Sequence, residues 1–239
     1  MKITRYTLKK AGFGRKLCIA LVPDIHDSPH DGIVKELSSL RPDMIAVAGD
    51  LMQNIGREDD GVKGNERGFD FLKKASGISP TFYSLGNHEA GITEENAKKV
   101  RQSGAVLLDD AYTVIDGIVI GGLSSKSHHG HVGATPSPSL GWLDKFESED
   151  GLRILLCHHP EYYPEYLADR NIDVVLSGHA HGGQWRIFGH GIYAPGQGLF
   201  PKLTSGIHDG RLVVSRGIGN HVKIPRIFNS PEIVLVTIE

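Results

Sequence analysis

Five short apolar runs, each followed within a few residues by Asp, Asn or His, constrain this chain more than any other feature. "LCIALV" (17–22) leads to "PDIH", "MIAVA" (44–48) to "GD" and "TFYSL" (81–85) to "GNHE", while "ILLC" (154–157) leads to "HHP" and "DVVLS" (173–177) to "GHAH". Continuous apolar runs of this length with turn signals behind them read as strands buried on both faces. Between them lie the helix-like stretches "GIVKELSSL", "NERGFDFLKKAS", "TEENAKKVRQS" and "PEYYPEYLADR". Strands alternating with helices point to an α/β layered fold. In such folds ligands collect beyond the carboxyl ends of the strands. One Asp after a strand is ordinarily a turn former or a cap. Five strand ends that all deliver Asp, Asn or His need another explanation.

The 239 residues, 39% of them hydrophobic, suffice for a substantial core, and no linker, repeat or low-complexity tract divides them. One domain over residues 1–239 is expected. A net charge of −2 excludes a general nucleic-acid binder, which needs a strongly basic face. The first sixteen residues are a local exception, with Lys2, Arg5, Lys9, Lys10, Arg15 and Lys16 and no acid. They read as a solvated strand and turn, although such a run could also approach an anionic membrane. Cys18 and Cys157 lie inside apolar runs and are expected as buried thiols, not a disulfide. The longest apolar runs fall far short of the ~20 residues that a membrane helix needs, and no signal peptide opens the chain. A cytoplasmic protein, at most peripheral to a membrane, is expected.

The candidate ligands are Asp24, His26, Asp50, Asn87, His158, His179 and His181, with His88 beside them. This mixed imidazole, carboxylate and amide set is too rich for one ion and suits two that share a carboxylate. Such donors favour Mn, Fe, Zn, Co or Ni over Mg or Ca. Two ions ~3.5–4 Å apart can clamp a phosphate, generate a nucleophile and stabilise a leaving oxygen. Gly178, Gly182 and Gly183 would let the backbone approach the ions.

In order along the chain, Asp24-Ile25-His26, Gly49-Asp50, Gly86-Asn87-His88-Glu89, His158 and Gly178-His179-Ala180-His181 resemble the five motif blocks of the calcineurin-like metallophosphoesterases. The segments "GHAHGGQWRIF", "APGQGLFPKL", "VSRGIGNH" and "RIFNSPEIVLVTI" are similar, more narrowly, to the YkuE/YaeI-type bacterial phosphodiesterase branch. The resemblance implies a four-layer α/β/β/α sandwich of two mixed sheets flanked by helices, with "RLVVSR" and "PEIVLVTIE" as strands of the second sheet. It implies that Asp24, His26 and His181 hold one metal, that Asn87, His158 and His179 hold the other, and that Asp50 bridges them. A bridging hydroxide would attack phosphorus, and His88 would protonate the leaving oxygen. Glu89 would orient His88 or be an exposed acid at a helix start. His158 matches the family's single-histidine block better than the adjacent His159.

The first block departs from the common pattern, with Pro23 in place of a serine. Asp27 and His30 either add polar groups beside the first metal or serve as turn residues before a helix near Asp31. His128, His129 and His131, in "SSKSHHGHVG", read as a loop near the site mouth with a substrate role open to His129. Lys126 and Arg57 are weaker phosphate candidates. Leu199 and Phe200 are expected in the core, the other reading being an apolar rim for a lipid-like substrate. The function implied is a dinuclear-metal phosphoesterase, most naturally a phosphodiesterase, acting on a small phosphate ester. The alternatives are a pyrophosphohydrolase of a lipid-linked nucleotide of the UDP-2,3-diacylglucosamine type and a non-catalytic metal-binding scaffold of the same fold. A nuclease would bring capping domains or a basic groove.

Overall fold

Residues 1–53, 66–125, 136–220 and 224–239 are described in a computed structural model. Their strands are β1 (Lys2–Leu8), β2 (Leu17–Leu21), β3 (Met44–Ala48), β4 (Thr81–Ser84), β5 (Val106–Leu108), β6 (Ala111–Ile115), β7 (Ile118–Leu123), β8 (Leu152–Cys157) and β9 (Val174–Ser177). After β9 come β10 (Arg186–Ile187), β11 (His190–Gly191), β12 (Tyr193–Ala194), β13 (Gly198–Leu199), β14 (Gly206–His208), β15 (Leu212–Val214) and β16 (Glu232–Ile238). The helices are α1 (Asp31–Leu40), α2 (Glu66–Ser76), α3 (Glu94–Gln102) and α4 (Leu143–Ser148).

Two six-stranded mixed sheets form, in the orders β1-β16-β2-β3-β4-β5 and β14-β15-β9-β8-β7-β6. Successive side chains of a strand point to opposite faces, so each central strand supplies two layers of core. Ile19 and Leu21 of β2 pack with Ile154 and Leu156 of β8 between the sheets. Ala20 of β2 instead meets Ile33 and Leu37 of α1 and Phe71 and Leu72 of α2. On the far side, Val119 and Leu155 pack with Leu143 and Phe146 of α4 and with Tyr162 and Tyr163. Each such fully buried aliphatic or aromatic side chain contributes about 1.5–3 kcal/mol. The layers are therefore helices, sheet, sheet and helix, as the resemblance implied.

Four expectations change. "PEIVLVTIE" does not join the second sheet; β16 inserts in the first, parallel to β1 and antiparallel to β2. A strand apolar on both faces fits the middle of either sheet, and nothing local names its neighbour. "PEYYPEYLADR" makes only a five-residue π-type turn over Tyr163–Leu167, since Pro164 lacks the N–H that a longer helix would use. Cys157 is buried and Cys18 only partly so, and both are free thiols. Leu199 and Phe200 lie outside the core, 69% and 73% exposed. The basic amino terminus becomes edge strand β1, where Lys and Arg oppose pairing with another chain. Among the described residues no helix is long and apolar enough to cross a membrane.

Candidate metal centre

The carboxyl ends of β2, β3, β8 and β9 and the loop after β4 meet at one end of the two sheets. There the donor atoms of Asp24, His26 and His181, of His26, Asp50 and His88, and of Asp50, His158 and His179 form groups whose members lie within 4.8 Å of one another. Asp50 is common to two of the groups. Asn87 joins through Oδ1, 3.2 Å from His158 Nε2. The structure thus brings all seven candidate ligands together, with His88 against them.

Local backbone geometry turns these side chains inward. Asp24, His26, Asp50, His179 and His181 all adopt left-handed φ values between 44° and 65°, a region that Asp and His tolerate better than most residues. Hydrogen bonds of 3.1 Å from Asp24 N–H to Gly49 O and 2.9 Å from His26 N–H to Asp50 O lock the first two loops together. A Cβ at Gly178 would lie 2.7 Å from Asp24 Oδ2 and 2.6 Å from Pro23 Cβ, so this glycine does allow a close approach at the centre. Gly182 and Gly183 make room elsewhere, for Asn229 and Gly191 respectively.

Proton positions can be read from the partners of the rings. His158 Nδ1 donates to Ala48 O at 2.9 Å. In the neutral ring Nε2 then presents a lone pair toward Asp50 Oδ2 at 3.1 Å and Asn87 Oδ1 at 3.2 Å. Three lone-pair atoms converging in a buried place require a proton or a cation between them. His26 is oriented in the same way, Nδ1 donating to Gln53 Oε1 at 3.0 Å, but its Nε2 faces the Nε2 of His181 at 3.3 Å as well as Asp50 Oδ2 at 3.7 Å, so a ring proton can bridge there. His179 Nε2 is buried without a hydrogen bond. These features fit the two transition-metal ions expected from the donor set. His181 differs, because Arg226 donates to its Nδ1 at 3.0 Å. Its Nε2 proton must leave, or the ring turn, before that nitrogen can act as a ligand.

The charges are set by burial and by one another. Burial pushes Asp24 up to about 7, opposed by His158 and aided by Asp50. Burial also acts to raise Asp50, but His158, His88 and His26 overcome it and hold that carboxyl well below its usual range. His158 is conversely held up at about 10, the two carboxylates outweighing burial. Burial keeps His179 and His181 neutral, reinforced by neighbouring imidazoles and, for His181, by Arg226.

Several residues stand differently from expectation. Glu89 is fully buried and not an exposed acid. Its carboxylate accepts from the backbone N–H of Asp50 at 2.9 Å, Met52 at 2.8 Å and Gly86 at 2.7 Å, tying the second and third loops to one anchor. Burial and the Asp50 charge push it up to about 7. His159 lies beside the candidate ligands: Nδ1 is 3.1 Å from Glu161 Oε1, its ring sits at 4.1 Å and 58° to that of His179, and with Glu161 and His179 it makes a further group within 4.8 Å. Asp27 accepts from Gly68 N–H at 2.9 Å and His30 meets Asp70 at 2.9 Å, so both brace α1 and α2. Arg57, Lys126, His128, His129 and His131 lie outside the described residues.

Sequence reasoning missed Gln53, Glu161 and Arg226. Glu161 lies 3.6 Å from His179 Nε2 and 3.1 Å from His159 Nδ1. Its only signal was its place two residues after His159; Arg226, forty-five residues after His181, was marked only by lying in "RIFNSPEIVLVTI". Asn229, which donates to His181 O at 2.7 Å, lies in the same segment and had no other signal.

A metallophosphoesterase sequence of Aquifex aeolicus is 25% identical over the whole of this chain and 92% of its own length. The Caenorhabditis elegans protein F40B5.2 and the Campylobacter jejuni protein Cj0846, both named as metallophosphoesterases, are 26% and 28% identical over 92% of this chain. The chain spans about half of those two relatives, 48% and 57% of their lengths. A solved structure from Thermus thermophilus, TT1561, is similar over 69% of this chain and 82% of its own, at 15% identity and a TM-score of 0.48. The family model described as calcineurin-like phosphoesterase matches residues 18–183, a span that runs from β2 through every candidate ligand, and the chain belongs to that family.

Proposed function

We propose that the centre hydrolyses phosphate esters, with phosphodiesters its preferred class. The carrying observation is the pair of donor groups that share Asp50, with His88 Nε2 3.9 Å from Asp50 Oδ2. Asp24, His26 and His181 would hold one ion, Asn87, His158 and His179 the other, and Asp50 both. When bound, such a pair neutralises phosphate charge and makes water acidic enough to yield a nucleophile. Manganese, iron, zinc, cobalt and nickel all suit these donors.

The chain's own groups supply the rest. The His88 and His181 side chains are 12% and 14% exposed, against 0–3% for His26, Asp50 and His158, so these two form the open rim. The His88 backbone N–H donates to Asp50 Oδ1 at 3.0 Å, and its ring meets His26 edge-on at 4.8 Å. Held in this way, His88 can give a proton to the departing oxygen of a phosphate bound at the rim. General acid catalysis of this kind contributes about 10²–10⁴-fold.

One observation supports the narrower YkuE/YaeI-type placement. The tail that carries that resemblance supplies Arg226 and Asn229 to His181. Hydrolysis of a lipid-linked nucleotide pyrophosphate is a narrower form of the same chemistry, favoured by the exposed apolar side chains Phe188, Leu199, Phe200 and Phe228.

The test is metal content together with turnover of bis-p-nitrophenyl phosphate and p-nitrophenyl phosphate, for the parent and for His88→Ala. We expect about two ions per chain in both proteins, a diester rate above the monoester rate, and a loss of roughly 10²–10⁴-fold in the variant. Turnover unchanged in His88→Ala removes the acid role, and a chain that takes up no metal refutes the reading.

A further inference from the structure

Three of the eight phenylalanines, Phe188, Phe200 and Phe228, are 98%, 73% and 86% exposed. Each also has a left-handed backbone, with φ of 50°, 53° and 51°. A bulky residue in that region is strained, and an exposed phenyl ring has lost its burial in the core. Both costs fall on the same three residues, and strain of this kind clusters at ligand clamps and switch regions.

The three stand on segments that hydrogen bonds tie together. Arg186 N–H donates to Ile227 O at 3.0 Å, Ile192 N–H to Trp185 O at 2.9 Å and Phe200 N–H to Ile192 O at 2.9 Å. Trp185 Nε1 donates to Pro225 O at 3.0 Å. The segments 185–200 and 224–228 are thus laced into a platform that also exposes Trp185, Tyr193 and Leu199. It begins four residues after His181 and returns to the centre through Arg226 and Asn229. Beside Phe200 opens a cavity of about 600 Å³ lined by Arg186, His190, Lys202 and His208, with Thr204 and Ser205 but no carboxylate.

We propose that this platform docks the chain on an anionic phospholipid surface, with Phe188, Phe200 and Phe228 entering the boundary between headgroups and acyl chains while the cationic cavity receives a lipid phosphate. Aromatic tips with Trp and Tyr beside them, and cations between, are the chemistry of a membrane interface. A second copy of this chain suits the surface less well. A two-fold interface would set the same patch against itself, cation facing cation. For the hydrolase, on whose reading this consequence alone rests, docking would deliver an amphiphilic phosphate ester to the rim from the bilayer.

The test is sedimentation with phosphatidylcholine vesicles, with and without phosphatidylglycerol, for the parent, the triple variant F188S/F200S/F228S and Lys202→Glu. Hydrolysis of bis-p-nitrophenyl phosphate is measured in parallel without lipid. The parent is expected to bind only the phosphatidylglycerol vesicles, more weakly at high salt. Binding should fall at least about tenfold in the triple variant and about fivefold in Lys202→Glu, with soluble-ester turnover within about twofold of the parent for both. Absence of phosphatidylglycerol-dependent binding by the parent overturns the proposal. So do undiminished binding by both variants and a parent dimer that the serines convert to monomer. Vesicle binding without ester turnover would sink the hydrolase reading and leave the docking surface standing.

Discussion

The centre and the platform that follows it invert the usual rule of burial in opposite directions. At the centre, two carboxylates and three imidazoles are withdrawn from water: Asp24, Asp50 and His158 are 0–1% exposed. A few residues along the chain, phenylalanines stand almost wholly in water. Exposed apolar atoms are ordinary on proteins, and the informative cases are buried polar groups and large exposed apolar patches. Here the two cases are neighbours, joined by His181, Arg226 and Asn229. The buried groups are expensive without a counter-charge, and the exposed rings without a cover. Each region is incomplete in the chemistry that the other has in excess, and such places mark where a protein meets something other than itself.

The comparison can be broken at its polar end first. Asp50→Asn removes the one carboxylate common to two donor groups, and ester turnover should fall at least about 10³-fold, equivalent to about 4 kcal/mol. Metal content should fall with it, and full retention of both would place the chemistry elsewhere. Glu89→Ala strips the acceptor from three buried N–H groups and should cost about 3–5 kcal/mol in a urea unfolding curve. A loss below about 1 kcal/mol would mean that the loops of Asp50 and His88 are held by other contacts.

Glu232→Gln acts at one remove from the centre. The Glu232 carboxylate binds Arg216 at 2.5 Å and also Thr4, and Arg216 O in turn accepts from Arg226 at 2.7 Å. Taking the charge from the partner of the partly buried Arg216 should cost about 1–3 kcal/mol at pH 7. Burial acts to raise the Glu232 pKa, but Arg216 and Thr4 outweigh it and hold the group below its ordinary 4.5. A depressed carboxylate stabilises the fold above its unfolded value and loses that contribution as pH falls. The gap between parent and variant, followed by denaturation at several pH values, should therefore be full near neutrality and close below 4.5. A gap independent of pH would refute the ion pair as its source. The smallest effect is expected at the apolar end, where Phe228→Ser should leave stability within about 0.5 kcal/mol of the parent. A larger loss would show that the ring packs against the fold and is not a free tip.

The amino-acid sequence alone determined the strands and the candidate donors that stand at their ends. β2, β3, β4, β8 and β9 are apolar runs dense enough to be read without any tertiary knowledge. A metal site needs specific donor atoms, so Asp24, His26, Asp50, Asn87, His158, His179 and His181 stand out as candidates by type and order. The tertiary structure decided everything that depends on a distant partner. β16 chose the sheet of β2 over that of β15 because strand pairing is set by the whole assembly and not by the strand. Glu89 became an anchor for the backbone because the turn after Asp50 folds over it. Arg226 reaches His181 across forty-five residues, and Asp27 turns from the centre to hold α2. Phenylalanine favours the core by type, and only the fold left Phe188, Phe200 and Phe228 outside it. A donor atom is a local property of the residue, whereas burial and partnership are properties of the packed chain.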